Sequence, residues 1–321
     1  MGKYLSALGN EIITEESMNA LLFAGQGSQY VGMMRGLTTT YAQAAEKLRL
    51  ADEILGFSLS EICFDGPVEL LKETRYTQPA LFVHEAILVD LLKDKITFEA
   101  VAGHSLGEYS ALYAAGALEF ESALKLVALR GELMFRAGEE NPGTMLAVIG
   151  MADEVVIDIC TKLNGTGGVI VPANFNSPGQ VVVSGSAEFL RANIQTFKDA
   201  GARMVTELPV SGAFHSPLLM PAKERLAEAI HQTAFQDASV EVYCNFTAQP
   251  EKNAGSLRAS LIEQLVSPVR WTETMGNMHA AGVMNYIEIG PGKVLQGLVK
   301  RTLAGVTFTG YDTEADVQKL G

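Results

Sequence analysis

The pentapeptide Gly103-His104-Ser105-Leu106-Gly107 restricts this chain more than any other feature. It follows the apolar run Phe98-Glu99-Ala100-Val101-Ala102 and precedes helical patterning over 106–116. Glycine on both sides of the serine predicts a sharp strand-to-helix turn that exposes Ser105, the context in which a G-x-S-x-G string carries a nucleophile. The amide of Leu106 then opens the helix, where unpaired N–H groups and the helix dipole favour a developing oxyanion. His104 is a poor base for this serine, since its side chain leaves the turn in another direction, and it is expected to buttress the turn. A Gly-Ser turn of no catalytic meaning fits the five residues alone but not their flanks.

From Ala20 the chain alternates short apolar runs with amphipathic stretches. Strands are expected at 20–24, 99–102, 239–243 and 286–289, with helices near 40–54, 78–94, 120–138 and 217–233. This predicts an α/β-hydrolase-like large domain built on a parallel sheet. Between about 144 and 211 the rhythm changes. Strands at 145–151, 168–173, 180–184 and 203–209, with helices at 153–163 and 187–200, give the order βαββαβ of a ferredoxin-like unit. It is expected as a small inserted subdomain over 141–213, with 18–140 and 214–321 forming the large one and 1–17 an extension outside the fold.

Composition narrows the function. With 24 basic against 37 acidic residues the net charge is −13, which argues against a nucleic-acid partner. No apolar run reaches the roughly 18 residues that span a bilayer, so no membrane role is expected. Residues 1–17 lack the regions of a signal peptide. Cys63, Cys160 and Cys244 are widely spaced with no CxxC pairing, which speaks against a disulfide framework or a metal site and for a cytoplasmic protein.

A serine nucleophile needs a base, and the histidines are His84, His104, His215, His231 and His279. His215 lies in Pro209-Val210-Ser211-Gly212-Ala213-Phe214-His215-Ser216-Pro217, where the small subdomain returns to the large one. That joint places it at the cleft and after the serine in chain order. Gly25-Gln26-Gly27-Ser28-Gln29 follows the first strand but lacks the Gly-Lys-Ser/Thr ending of a phosphate loop. Either it presents the Gln26 amide as a second oxyanion donor or it is a plain turn.

Several strings occur together and in one order: GQGSQ at 25–29, GHSLGE at 103–108, Asn174-Phe175-Asn176-Ser177-Pro178-Gly179-Gln180, Ala213-Phe214-His215-Ser216, Gln264 with Ser267-Pro268-Val269 and Trp271, and Glu288-Ile289-Gly290-Pro291-Gly292. From Met18 to near Arg301 the chain therefore resembles malonyl-CoA:acyl carrier protein transacylases. The resemblance implies Ser105 as nucleophile, His215 as base oriented by the Gln264 backbone carbonyl, and the Gln26 and Leu106 amides as oxyanion hole. It implies Arg130, in Leu126-Val127-Ala128-Leu129-Arg130-Gly131, as the partner of a malonyl carboxylate, where the residues alone favour a surface salt bridge. Phe214 would crowd the acyl α-carbon and favour malonyl over methylmalonyl, Met134 would pack beside the acyl group, and His104 and Asn174 would line the site. Malonyl-CoA and an acyl carrier protein are the implied partners, their pantetheine arms substrates rather than cofactors; no cofactor or metal is expected, and the enzyme is expected to be a monomer. Because the carrier is normally acidic, a local basic patch near the cleft is expected. Service to a polyketide synthase, acyl hydrolysis, or a non-catalytic carrier scaffold are the competing readings. Two departures from the family stand out, Ala24 in place of a common proline and Gly212 before the Phe-His pair.

Overall fold

The computed structural model describes residues 17–210 and 212–320. The expected extension over 1–17 lies, but for Ser17, outside the described residues; Ser17 itself accepts a hydrogen bond from Asn285. The strands, in chain order, are β1 (Met18–Phe23), β2 (Ala100–Gly103), β3 (Gly143–Ile149), β4 (Ile170–Ser177), β5 (Gln180–Ser186), β6 (Met204–Glu207), β7 (Glu241–Tyr243), β8 (Pro250–Glu251), β9 (Val283–Ile289) and β10 (Thr307–Tyr311). They form a six-stranded sheet of order β10-β9-β1-β2-β7-β8, parallel except for β8, and a four-stranded antiparallel sheet of order β4-β5-β3-β6. The second order is that of a βαββαβ unit, so the expected architecture holds.

Alternation along the parallel strands explains why the large sheet is covered on both faces. Leu21 and Phe23 of β1 and Val101 of β2 join one hydrophobic cluster, whereas Ala20, Leu22, Ala100 and Ala102 join another with Tyr243, Trp271 and Tyr286. The small sheet uses the same period differently. Leu146, Val148, Val181 and Val183 face the helices Asp153–Leu163, Ala187–Ala192 and Ile194–Asp199. Met145 and Val182, on the opposite face, line a cavity that also reaches Ser105. The two sheets thus enclose the site, the large one presenting the C-terminal ends of its strands, where α/β folds usually bind ligands.

Element boundaries moved where local chemistry overrode periodicity. The helix expected at 78–94 spans Thr74–Leu92, because Pro79 sits in its second turn rather than opening it. The helix expected at 187–200 is two helices meeting at Asn193, whose side chain donates to the Phe189 carbonyl at 2.8 Å. The strand expected at 203–209 shortens to β6, and the 239–243 strand to β7. Among the described residues no helix is long and apolar enough to cross a membrane.

Candidate active site

Parallel pairing of Phe23 with Gly103 sends the chain out of β1 and β2 side by side. The His104 amide donates to the Phe23 carbonyl at 2.9 Å, tying the two exits together. The turn beyond β2 is taken by Ser105 itself, with φ of 52°. This corrects the expectation that the flanking glycines supply the turn. Neither has a positive φ; they are needed for space, since a Cβ at Gly103 would stand 1.9 Å from the Gly107 carbonyl and one at Gly107 would stand 2.2 Å from the Phe23 oxygen. The helix Gly107–Ala114 follows at once, with Leu106 at its N-cap position.

Asn245, beyond the end of β7, clamps this elbow from the other side. Its Oδ1 accepts from the Ser105 amide at 2.7 Å and its Nδ2 donates to the Gly103 carbonyl at 2.7 Å. The amide of Ser105 is therefore already used. Among the described residues the amides of Leu106 and Gln26 have no acceptor, and both residues line the cavity. The Gln26 loop comes this near because Gly25 has no side chain; a Cβ there would meet the His104 carbonyl at 2.7 Å. The Gln26 side chain is turned away to Thr74, at 3.1 Å.

His215 reaches the serine from the joint between the sheets. It takes a left-handed φ of 57°, in a turn closed by Ser216 Oγ donating to the Ala213 carbonyl at 2.6 Å. Its Nε2 lies 2.8 Å from Ser105 Oγ, and its Nδ1 lies 2.9 Å from the Gln264 carbonyl and 3.1 Å from that of Ser267. Two carbonyl acceptors fix the proton on Nδ1 and leave Nε2 free to accept. Gln264 ends the helix Ala254–Gln264, so its carbonyl carries the partial negative charge of a helix C-terminus, which offsets in part the missing carboxylate. Burial, and then the nearby Arg130 charge, push the imidazole down to about 3, so it is neutral at physiological pH.

Arg130 overturns the salt-bridge alternative. It is buried, 1% exposed, and has no carboxylate within ion-pair distance among the described residues. Nη1 donates to Gln78 Oε1 at 2.8 Å; Nη2 donates to Ser105 Oγ at 3.0 Å and to Gln264 Oε1 at 3.1 Å, while Nε has no partner among the described residues. A guanidinium held by neutral groups beside the serine is a preformed anion site.

The remaining expected residues also line the cavity of about 230 Å³. Met134 packs there, its sulfur accepting from Gln78 Nε2 at 3.2 Å. Phe214 forms part of the wall, and Gly212 makes room for its ring, which a Cβ at that position would meet at 2.7 Å. Asn174 is bridged to Val269, and His104 is held between Asn176 Oδ1, 2.8 Å from its Nε2, and Trp271. Sequence reasoning missed Gln78, Asn176, Asn245 and Glu108. Glu108 and Asn176 stand in strings that carry the family resemblance, and Asn245 follows a parallel strand, a position that invites attention in an α/β fold; Gln78 carries no signal that sets it apart from polar surface.

Fold and site together point to a class, the α/β acyltransferases. A family profile described as acyl transferase domain matches residues 20–317. The malonyl CoA-acyl carrier protein transacylase of Haemophilus influenzae is 42% identical over 285 residues, 88% of this chain and 91% of that protein. The solved acyl carrier protein S-malonyltransferase of Vibrio cholerae superposes with a TM-score of 0.90 at 40% identity, covering 95% of this chain and 100% of that one. A malonyl-transacylase solved in complex with its type II PKS acyl-carrier protein gives 0.90 at 37% identity, covering 95% and 99%. The chain belongs to the malonyl CoA-acyl carrier protein transacylase family.

Proposed function

We propose that the chain transfers a malonyl group from malonyl-CoA, through an ester on Ser105, to the phosphopantetheine thiol of an acyl carrier protein in fatty acid biosynthesis. The observation that carries this reading is the buried, unpaired guanidinium of Arg130 with Nη2 3.0 Å from the serine oxygen. A neutral acyl group gives such a cation nothing to do, whereas a free carboxylate on the acyl chain pairs with it in a dry site.

His215 Nε2 takes the Ser105 proton as Oγ attacks the thioester carbon, and the oxyanion settles on the Gln26 and Leu106 amides. Collapse breaks the C–S bond, and the coenzyme A thiolate leaves with the proton from Nε2. The carrier thiol then gives its proton to His215 and attacks the ester; Ser105 departs as the alcohol by recovering that proton. Neutral His215 is the form this needs, and a thioester is activated enough to accept carbonyl rather than carboxylate support of the imidazole. Every step is carried by side chains and amides, so coenzyme A and phosphopantetheine are substrates and no cofactor is called on. Phe214 and Met134 shape the space at the α-carbon, and His104 and Asn174 hold the cavity wall.

All these residues come from one chain, which supports a monomer as the working unit. Three buried free cysteines fit a reducing, cytoplasmic setting. Arg301, exposed and lining the cavity, with the exposed Lys300 beside it in sequence, is the candidate for the basic patch expected for an acidic carrier. The similarity to a polyketide malonyl-transacylase supports the same chemistry for a polyketide carrier, and a choice between the two needs both carriers.

Intact mass after mixing with malonyl-CoA or acetyl-CoA tests the reading. A malonyl adduct that vanishes in Ser105→Ala, forms ~10- to 100-fold more slowly in Arg130→Ala with a smaller loss for acetyl, and is discharged by holo carrier is expected. Acyl transfer to water instead of carrier would make the protein a hydrolase.

A further inference from the structure

We propose that Glu108 is a positioning residue of this reaction, holding Gln264 in the single orientation that serves both His215 and Arg130. Glu108 is 1% exposed on the helix behind the elbow. Its Oε2 accepts from Gln264 Nε2 at 2.8 Å and from the Asn245 amide at 3.0 Å. The same Gln264 Nε2 donates to the Ser105 carbonyl at 2.8 Å, and Gln264 Oε1 accepts from Arg130. Flipping the amide would set its oxygen against the Glu108 carboxyl and its NH₂ against the guanidinium, so Glu108 makes the orientation one-way. Through Asn245 it also steadies the residue that clamps the elbow. Glu108 therefore touches neither acyl group nor nucleophile, yet bonds to two residues that do the holding.

Glu108 is also the carboxyl electrostatically coupled to Arg130, and burial pushes it up to about 7. The other groups facing it stay fixed near neutrality: Tyr109 and the Cys244 thiol are raised by burial, and Arg130 remains a cation. A substrate carboxylate on Arg130, which is itself two hydrogen bonds from Glu108, adds a second negative charge nearby and favours the protonated form. Malonyl binding is then coupled to proton uptake at Glu108 and weakens as pH rises, while acetyl binding is not.

This inference rests on the proposed malonyl transfer, and the experiment separates the two. Adduct formation is followed by intact mass and stopped flow for wild type, Glu108→Gln and Glu108→Leu, with malonyl-CoA and acetyl-CoA, between pH ~6 and ~9. In wild type the apparent KM for malonyl-CoA is expected to rise several-fold over that range and that for acetyl-CoA to stay flat. Glu108→Gln, which keeps an oxygen acceptor, should lose the malonyl pH dependence at a cost of only a few-fold in rate. Glu108→Leu should lose more than ~10-fold in the acylation rate, with a folded far-UV signature. A Glu108→Gln profile that tracks wild type, or a folded Glu108→Leu that acylates at the wild-type rate, overturns the inference. Absence of any wild-type malonyl adduct overturns the proposed function instead.

Discussion

His215 illustrates how a single buried side chain ties mechanism to stability. Its surroundings favour the neutral ring, which the serine needs, and they do so mainly by desolvation. The unfolded chain meets water and takes up a proton near the ordinary value of 6.5, whereas the folded chain resists until about 3. The unfolded state thus binds the extra proton between those values, and stability falls as pH drops through that window. Thermal melts of wild type and His215→Asn at several pH values should show a smaller acid loss of Tm in the variant. Equal slopes would mean that the imidazole is not desolvated as described. The proposed serine and base were legible in the sequence because the G-x-S-x-G string stands between an apolar strand and a helix and because the histidine stands at the joint of the two subdomains. Asn245 was not, since a lone asparagine after a short strand looks the same whether it clamps an elbow or faces water.

At the scale of elements, the helix Ala254–Gln264 matters more than its eleven residues suggest. One end is capped by Asn253, whose side chain accepts from the amides of Gly255 at 2.9 Å and Ser256 at 3.1 Å; the other end aims a carbonyl at His215. Asn253→Ala should remove the cap and lower stability by about 1 kcal/mol, visible as a drop of a few degrees in Tm. The acylation rate should remain within about twofold of wild type, because Gln264 is pinned at the far end by Ser105, Glu108 and Arg130 independently of the cap. A large kinetic loss would show instead that the whole helix moves as one lever on the imidazole. Sequence periodicity resolved the small subdomain nearly strand for strand, since its alternation is clean and its turns carry glycine and proline. It gave no reading of this helix, of β8 or of β10, where apolar positions are sparse and packing against neighbours, invisible in one sequence, decides the conformation.

For the whole molecule, net charge sets a problem that local structure has to solve. A chain of net charge −13 repels an acidic carrier at long range, so productive encounter depends on where its 24 basic residues lie. Many basic side chains near the surface are spent on neighbouring carboxylates, as in the pairs Lys125–Glu121, Arg136–Glu132, Lys162–Asp158 and Arg191–Glu207. Arg301 has no such partner among the described residues and stands where the cavity opens. Replacing it with glutamate reverses the sign at the rim without touching Ser105, His215 or Arg130. Discharge of the malonyl-enzyme by holo carrier should slow by ~10-fold at low ionic strength and by much less at ~0.5 M salt, where the screening length falls to a few ångströms. Loading from a malonyl thioester of truncated pantetheine, which carries no phosphate, should be unaffected. If the loss of discharge persisted undiminished in high salt, the contact would be one of shape rather than charge. If loading from the truncated thioester fell as well, Arg301 would belong to the acyl pocket and not to the carrier's landing site.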